Sequence, residues 1–176
     1  KDISIDTEEK TAVVAAGDLW DELKQEVNKK KLSIKVMQAS AGFSLVASLA
    51  GPNAHGWDYH TGTLAETVEE LSLINADGKL LKVRPEDDLF QYVVGGYGNF
   101  GIVTDVKIKL CDNVKMYRQG ELVNPFDYPN YFEKFLEDPD NSPDLHLYRM
   151  SLDPQNLLKT GFAENYYKMG DEALVT

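Results

Sequence analysis

Four glycines fall within seven residues, Gly95-Gly96-Tyr97-Gly98-Asn99-Phe100-Gly101, and the last of them leads straight into Ile102-Val103-Thr104-Asp105-Val106-Lys107-Ile108-Lys109-Leu110. This juxtaposition constrains the fold more than any other stretch. Glycines spaced as Gly96, Gly98 and Gly101 match the dinucleotide fingerprint, yet a Rossmann loop follows a strand and opens a helix whose N-terminus receives the pyrophosphate. Here the alternation of Ile102, Thr104, Val106, Ile108 and Leu110 with Val103, Asp105, Lys107 and Lys109 has the period of a strand buried mainly on one face. Before the loop, Pro85 and Glu86-Asp87-Asp88 open a short helix through Leu89, Phe90, Val93 and Val94. The context therefore opposes an NAD site, and a helix beginning at Gly101 would restore one. Each glycine weakens regular structure by about 0.5–1 kcal/mol relative to Ala, so this density calls for positive φ or for close approach of a ligand to backbone. A plain helix-to-strand turn uses one or two.

The other elements follow from local pattern. Residues 3–6 and 11–16 read as a hairpin across the turn Thr7-Glu8-Glu9-Lys10. Asp18 is the expected N-cap of a helix carrying Leu19, Trp20, Leu23 and Val27, with Lys29-Lys30-Lys31 at its negative end. Residues 33–37 suit a strand, and residues 38–62, rich in Ala, Gly and Ser, are expected to be irregular; long loops of that kind are often functional. Asp77-Gly78 between apolar runs predicts a hairpin within residues 67–83. Beyond Asp112-Asn113 the texture changes: a possible strand over 114–122, an aromatic helix over 126–136, a loop over 137–144 and a strand over 145–152. The boundary falls at 112–122, giving units 1–113 and 114–176.

With 18 Lys and Arg against 29 Asp and Glu, the net charge of -11 opposes phosphate backbones and anionic membrane surfaces, so neither nucleic acid nor membrane is an expected partner. The lone Cys111 excludes an intrachain disulfide and fits a reducing compartment, so a cytoplasmic location is expected. No apolar run reaches the roughly 18 residues of a membrane span. The chain opens without Met, in mid-strand, as expected of an internal segment of a longer protein.

The glycine motif with Asp88-Leu89-Phe90 before it and Ile102-Val103-Thr104 after it, supported upstream by Asn53-Ala54-His55-Gly56, Gly62 and Asp77-Gly78, resembles the FAD-linked oxidase superfamily of vanillyl-alcohol oxidase and p-cresol methylhydroxylase. The resemblance covers about residues 13–110. It implies an α+β fold, a mainly antiparallel sheet flanked by helices, corresponding to the second lobe of the PCMH-type FAD-binding domain, followed by part of an α+β substrate domain. It implies that Ser40, Ala47, Ser48, Asn53, Ala54, His55 and Gly56 lie along the pyrophosphate, ribitol and flavin ring, and that the backbone of Gly101 and Ile102 meets the adenine. Main-chain N–H groups among small residues hold such a cofactor without charged side chains. Relatives usually carry paired glycines where this chain has Ala47-Ser48, which implies a shifted loop or weakened flavin binding. The first lobe, with its Gly-Gly-His-Ser-like loop, would precede Lys1. Residues 38–49 hold no Cys, so FAD is expected to be non-covalently bound as far as this segment is concerned.

The expected activity is that of an FAD-dependent oxidase or dehydrogenase acting on a small alcohol, sugar, lactone or hydroxy acid, with the segment alone inactive; the alternative is a flavin-less module that keeps the fold. No catalytic residue is assigned, because the resemblance places the base beyond Thr176. His55 suits cofactor contact or a structural hydrogen bond. His55 and His60 lack further ligands at metal spacing, so no metal is expected. Asp87 and Asp88 suit a helix start. The stripe Tyr128, Tyr131, Phe132 and Phe135 suits core packing ahead of a pocket wall.

Overall fold

The computed structural model describes residues 3–170, arranged as two compact units. One comprises residues 3–56 and Thr61–Asn113; the other comprises Trp57–His60 and residues 114–170.

In the first unit, β1 (Ser4–Asp6) and β2 (Thr11–Ala15) form the expected hairpin, with Asp6 Oδ1 accepting from the backbone N–H groups of Glu8 and Glu9 at 2.9 and 3.0 Å. The organising strand is β6 (Ile102–Asp112), which follows Gly101 directly and begins no helix. It pairs antiparallel with β2 on one side and with β4 (Val68–Ile74) on the other, while β3 (Leu32–Ile34) joins its C-terminal end. β5 (Leu80–Val83) completes the order β1-β2-β6-β4-β5. Helix α1 (Trp20–Lys29) buries Trp20, Leu23 and Val27, which recur on one face at helical spacing. They join Leu71, Leu73, Val106 and Ile108 in the core.

Three local expectations need correction. Asp18 is not the N-cap of α1: that position is Leu19, whose N–H donates to Glu22 Oε2 at 3.0 Å. The buried Asp18 carboxylate instead accepts from Ala15 N at 3.2 Å and closes the β2–α1 turn. Residues 33–37 contribute only as far as Ile34. The hairpin expected at Asp77-Gly78 is present as the antiparallel pair β4–β5, its loop closed by Asn75 N donating to Lys79 O at 3.0 Å, with Gly78 at φ 75°. Residues 38–62 contain a helix, α2 (Leu45–Ala50), capped by Ser44 Oγ accepting from Ala47 N at 3.1 Å. Six residues are too few to display a helical period, and capping by Ser44 is the only sequence signal.

The second unit is a three-stranded antiparallel sheet, β7 (Met116–Val123), β9 (Gly161–Lys168) and β8 (Leu145–Met150) in that order, with α4 (Tyr128–Glu137) on one face. α3 (Asp88–Val93) belongs to the first unit. β9 has no counterpart among the sequence expectations. Among the described residues no helix is long and apolar enough to cross a membrane.

Candidate cofactor site

Two elements meet around the glycine loop, and backbone hydrogen bonding explains how. A helix leaves its last four carbonyls without intrahelical partners. In α2 these are the carbonyls of residues 47–50, and each finds a donor: Gly51 N on Ala47 O at 2.9 Å, Ala54 N on Ser48 O at 2.9 Å, Gly95 N on Leu49 O at 3.1 Å and Tyr97 N on Ala50 O at 2.8 Å. The glycine loop and the Asn53–Gly56 loop are thereby both tied to the end of α2. At the other end, the first-turn donors of α1 hold the incoming chain, Trp20 N on Phe43 O at 3.1 Å and Asp21 N on Ala41 O at 3.0 Å.

Between α2, the glycine loop and the start of β6 lies a cavity of about 260 Å³ lined in part by Ala16, Ser44, Ala47, Gly98, Gly101 and Ile102. No ionisable side chain lines it. Such a surface accepts a flat ring or a backbone-bonded group and supplies no acid or base. Complete small-molecule sites occupy about 300–1,000 Å³. The cavity is smaller than that, so it fits one portion of a large cofactor such as FAD and leaves the rest to be enclosed elsewhere.

Of the residues singled out from sequence, the cavity brings together Ala47, Gly101 and Ile102. Ser44 and Ala16 were missed, and Gly98 was singled out only as part of the glycine motif; the capping serine before a short apolar run was the available signal for Ser44. Ser48 turns inward at 3% exposure, where its hydroxyl accepts from Trp20 Nε1 and donates to Ser44 O, both at 2.9 Å. Its Cβ therefore adds no bulk to the cavity, and only Ala47 presents a methyl where relatives were expected to carry glycine.

The remaining candidates line other surfaces. Asn53, at φ 48°, ties its loop to the following turn: Nδ2 donates to Thr63 Oγ1 and Oδ1 accepts from Ala65 N, both at 3.1 Å. Ala54 is buried, and its carbonyl accepts from Leu64 N at 2.8 Å. His55 is exposed, bridged through its backbone to Thr63, with Nδ1 3.1 Å from Gly56 O. Gly56 packs on the chain at Met37, whose carbonyl would lie 2.8 Å from an added Cβ. Ser40 is exposed and its carbonyl accepts from Gln38 Nε2 at 3.2 Å. None of these five residues lines the cavity.

Gly101 has a stronger structural requirement than ligand approach. At φ 142° it sits where side chains are rarely tolerated, and an added Cβ would lie 2.6 Å from Ile74 O and 2.8 Å from Leu73 Cδ1. Its glycine permits β6 to enter beside β4.

Comparison with known proteins follows the same lines. Residues 1–84 match the family model of an FAD binding domain. Cytokinin dehydrogenase 2 of Arabidopsis thaliana is 31% identical over 113 residues, covering 62% of this chain and 22% of that protein. Alditol oxidase of a Streptomyces species is 30% identical over 106 residues, covering 60% and 25%. An FAD-dependent monooxygenase of Arthrobotrys oligospora is 24% identical over 162 residues, covering 91% and 30%. The chain thus spans less than a third of each of these relatives. In its motif, its antiparallel fold and these matches the chain is similar to the FAD-linked oxidase superfamily.

Proposed function

We propose that residues 1–113 form one wall of an FAD site, corresponding to the second lobe of the flavin-binding domain, and that residues 114–176 begin a substrate domain. In this reading the complete protein is an FAD-dependent oxidoreductase that oxidises a small alcohol, sugar, lactone or hydroxy acid, FAD accepting hydride from the substrate. The observation that carries the proposal is the uncharged cavity between α2 and the start of β6, bordered by Ala47, Gly101 and Ile102. This chain's own part is to bind and orient: Gly101 and Ile102 border the adenine, while Ser40, Ala47, Asn53, Ala54, His55 and Gly56 lie along the rest of the cofactor. FAD is held without a covalent bond from this segment. No ionisable group lines the cavity itself, and no general base is assigned to this segment.

The test is made on the full-length protein. Purification with a visible flavin spectrum that an alcohol or hydroxy acid bleaches in the absence of oxygen supports the reading. A colourless, correctly folded protein that takes up no added FAD favours the flavin-less alternative. For residues 1–176 alone, fluorescence titration should show weak FAD binding, because a partial enclosure must still overcome several kcal/mol of lost ligand freedom. Tight stoichiometric binding by this segment would overturn the division of labour.

A further inference from the structure

The second unit holds a buried carboxylate between two half-exposed arginines. Glu164 lies in the middle strand β9 and is 3% exposed. Strand alternation fixes its direction: Asn165 Nδ2 donates to Tyr131 Oη of α4 at 2.7 Å, so Phe162, Glu164 and Tyr166 share the face turned away from that helix. Register sets Arg118 of β7 opposite Tyr166 and Arg149 of β8 opposite Phe162, which places one guanidinium on each side of Glu164. Arg118 Nε lies 3.1 Å from Oε2 and Arg149 Nη1 lies 3.4 Å from Oε1, while Tyr166 Oη donates to Oε2 at 3.1 Å.

Aromatic rings frame the cluster. The Arg118 guanidinium stands 5.8 Å from the centroid of Phe162, and Trp57 lies 5.6 Å from Tyr166. Gly120, opposite Glu164, leaves room for Phe162 to lie across the sheet; a Cβ there would meet Phe162 Cζ at 2.4 Å.

Stability alone accounts poorly for this arrangement. Replacing a buried ion cluster by apolar residues is often neutral or stabilising. A guanidinium carries five N–H donors in a planar fork, and each arginine directs only part of that fork to Glu164. Their side chains remain 53% and 58% exposed. The cluster carries one net positive charge in a unit whose described residues hold ten Asp and Glu against six Lys and Arg. Charge and donor geometry both suit an anion.

We propose that Arg118 and Arg149, held in place by Glu164, bind the carboxylate of a small organic acid on the open face of the β7-β9-β8 sheet. Paired guanidinium forks match carboxylate oxygens, and charge-assisted hydrogen bonds are roughly twice as strong as neutral ones. A neutral polyol would meet the same donors and rings without that charge contribution. The site lies wholly in the second unit and needs no flavin, so it stands or falls independently of the FAD reading.

The test follows the arginine Nε–H resonances of the ¹⁵N-labelled chain during titration with gluconate, with sorbitol as the neutral polyol and with sodium chloride at matched ionic strength. The expected result is a saturable shift of Arg118 and Arg149 with gluconate alone. Arg149→Lys, which keeps the charge and loses the planar fork, should weaken binding about tenfold. Should that variant fail to fold, Arg118→Lys carries the comparison. Equal saturable shifts with sorbitol overturn the carboxylate assignment in favour of a polyol. A drift shared with chloride, or gluconate affinity unchanged in a folded lysine variant, overturns the site itself.

Discussion

The two units solve the same problem, burying the inside of an antiparallel sheet, with different chemistry. In the first, the buried set is dominated by Val, Leu and Ile gathered from α1, α2, α3 and five strands. In the second, the buried residues include His146, Glu164 and Asn165, with Val123 and Ala163 as the buried hydrophobics. The polar groups there form a directed chain. Tyr128 Oη donates to His146 Nε2 at 2.8 Å, His146 Nδ1 donates to Asn165 Oδ1 at 2.7 Å, Asn165 Nδ2 donates to Tyr131 Oη at 2.7 Å and Tyr131 Oη donates to Glu121 Oε1 at 2.6 Å. An apolar core tolerates change in proportion to volume, whereas a polar chain holds only while every member is satisfied.

The largest effect belongs to the first unit. Gly101→Val places a branched side chain against Ile74 O and Leu73 in a backbone conformation suited to glycine, and should destabilise by about 3 kcal/mol or more. Chemical denaturation followed by far-ultraviolet circular dichroism measures it. A loss below about 1 kcal/mol would mean that β6 enters the sheet differently. Flavin loss in this variant would report unfolding as much as a missing contact.

The contrast also explains what sequence could tell. β6 was legible because Val106, Ile108 and Leu110 are buried in alternation with Lys107 and Lys109, and the glycines mark where it must start; at that start the face is reversed, with Val103 buried and Ile102 69% exposed beside a register shift against β4. α1 was legible through Trp20, Leu23 and Val27. β9 was not, because Glu164 and Asn165 sit in the middle of a buried strand and break every apolar period; their partners Arg118, Arg149, Tyr131 and His146 lie far away in sequence. In the candidate site, Ala47, Gly101 and Ile102 were legible from motif position, but the inward turn of Ser48 depends on Trp20, 28 residues earlier.

Next in size, Asn165→Leu removes the link between His146 and Tyr131. It leaves a buried imidazole N–H without its acceptor, at a cost of about 1–3 kcal/mol. Residue-resolved hydrogen exchange should show β8 and β9 opening more readily while β6 is unchanged. Uniform loss of protection across both sheets would show that the units do not differ as described.

Acid should separate the units without any substitution. Burial holds the His146 imidazole below its ordinary pKa, and the bond to Asn165 only partly offsets this. The unfolded chain therefore binds the proton more readily, so stability falls as pH drops from about 6.5 toward the lower folded value. In the first unit, the Lys82 ammonium above all, with Arg84, outweighs burial and holds the Glu70 carboxyl below the usual carboxylate range, so that contribution is lost only at more acid pH. Hydrogen exchange near pH 6 should loosen β8 and β9 ahead of β4. Replacing His146 by Gln should flatten the dependence in the second unit, and an unchanged slope would remove His146 as its cause.

The last comparison concerns the cavity, where a stability change and a binding change can be told apart. Ser48→Ala strips the buried Trp20 Nε1–H of its acceptor and should destabilise by about 1–3 kcal/mol. Ala47→Gly alters an exposed helical position and should destabilise by only about 0.5–1 kcal/mol. On cofactor the order reverses. The Ala47 methyl lines the cavity and its removal opens space there, while the Ser48 side chain faces away. Measured on the full-length protein, Ala47→Gly should therefore tighten FAD retention despite its lower melting temperature, and Ser48→Ala should leave affinity unchanged in the fraction that remains folded. If Ala47→Gly weakens retention instead, the methyl is a packing contact for the cofactor, and the chain has adapted its loop to alanine.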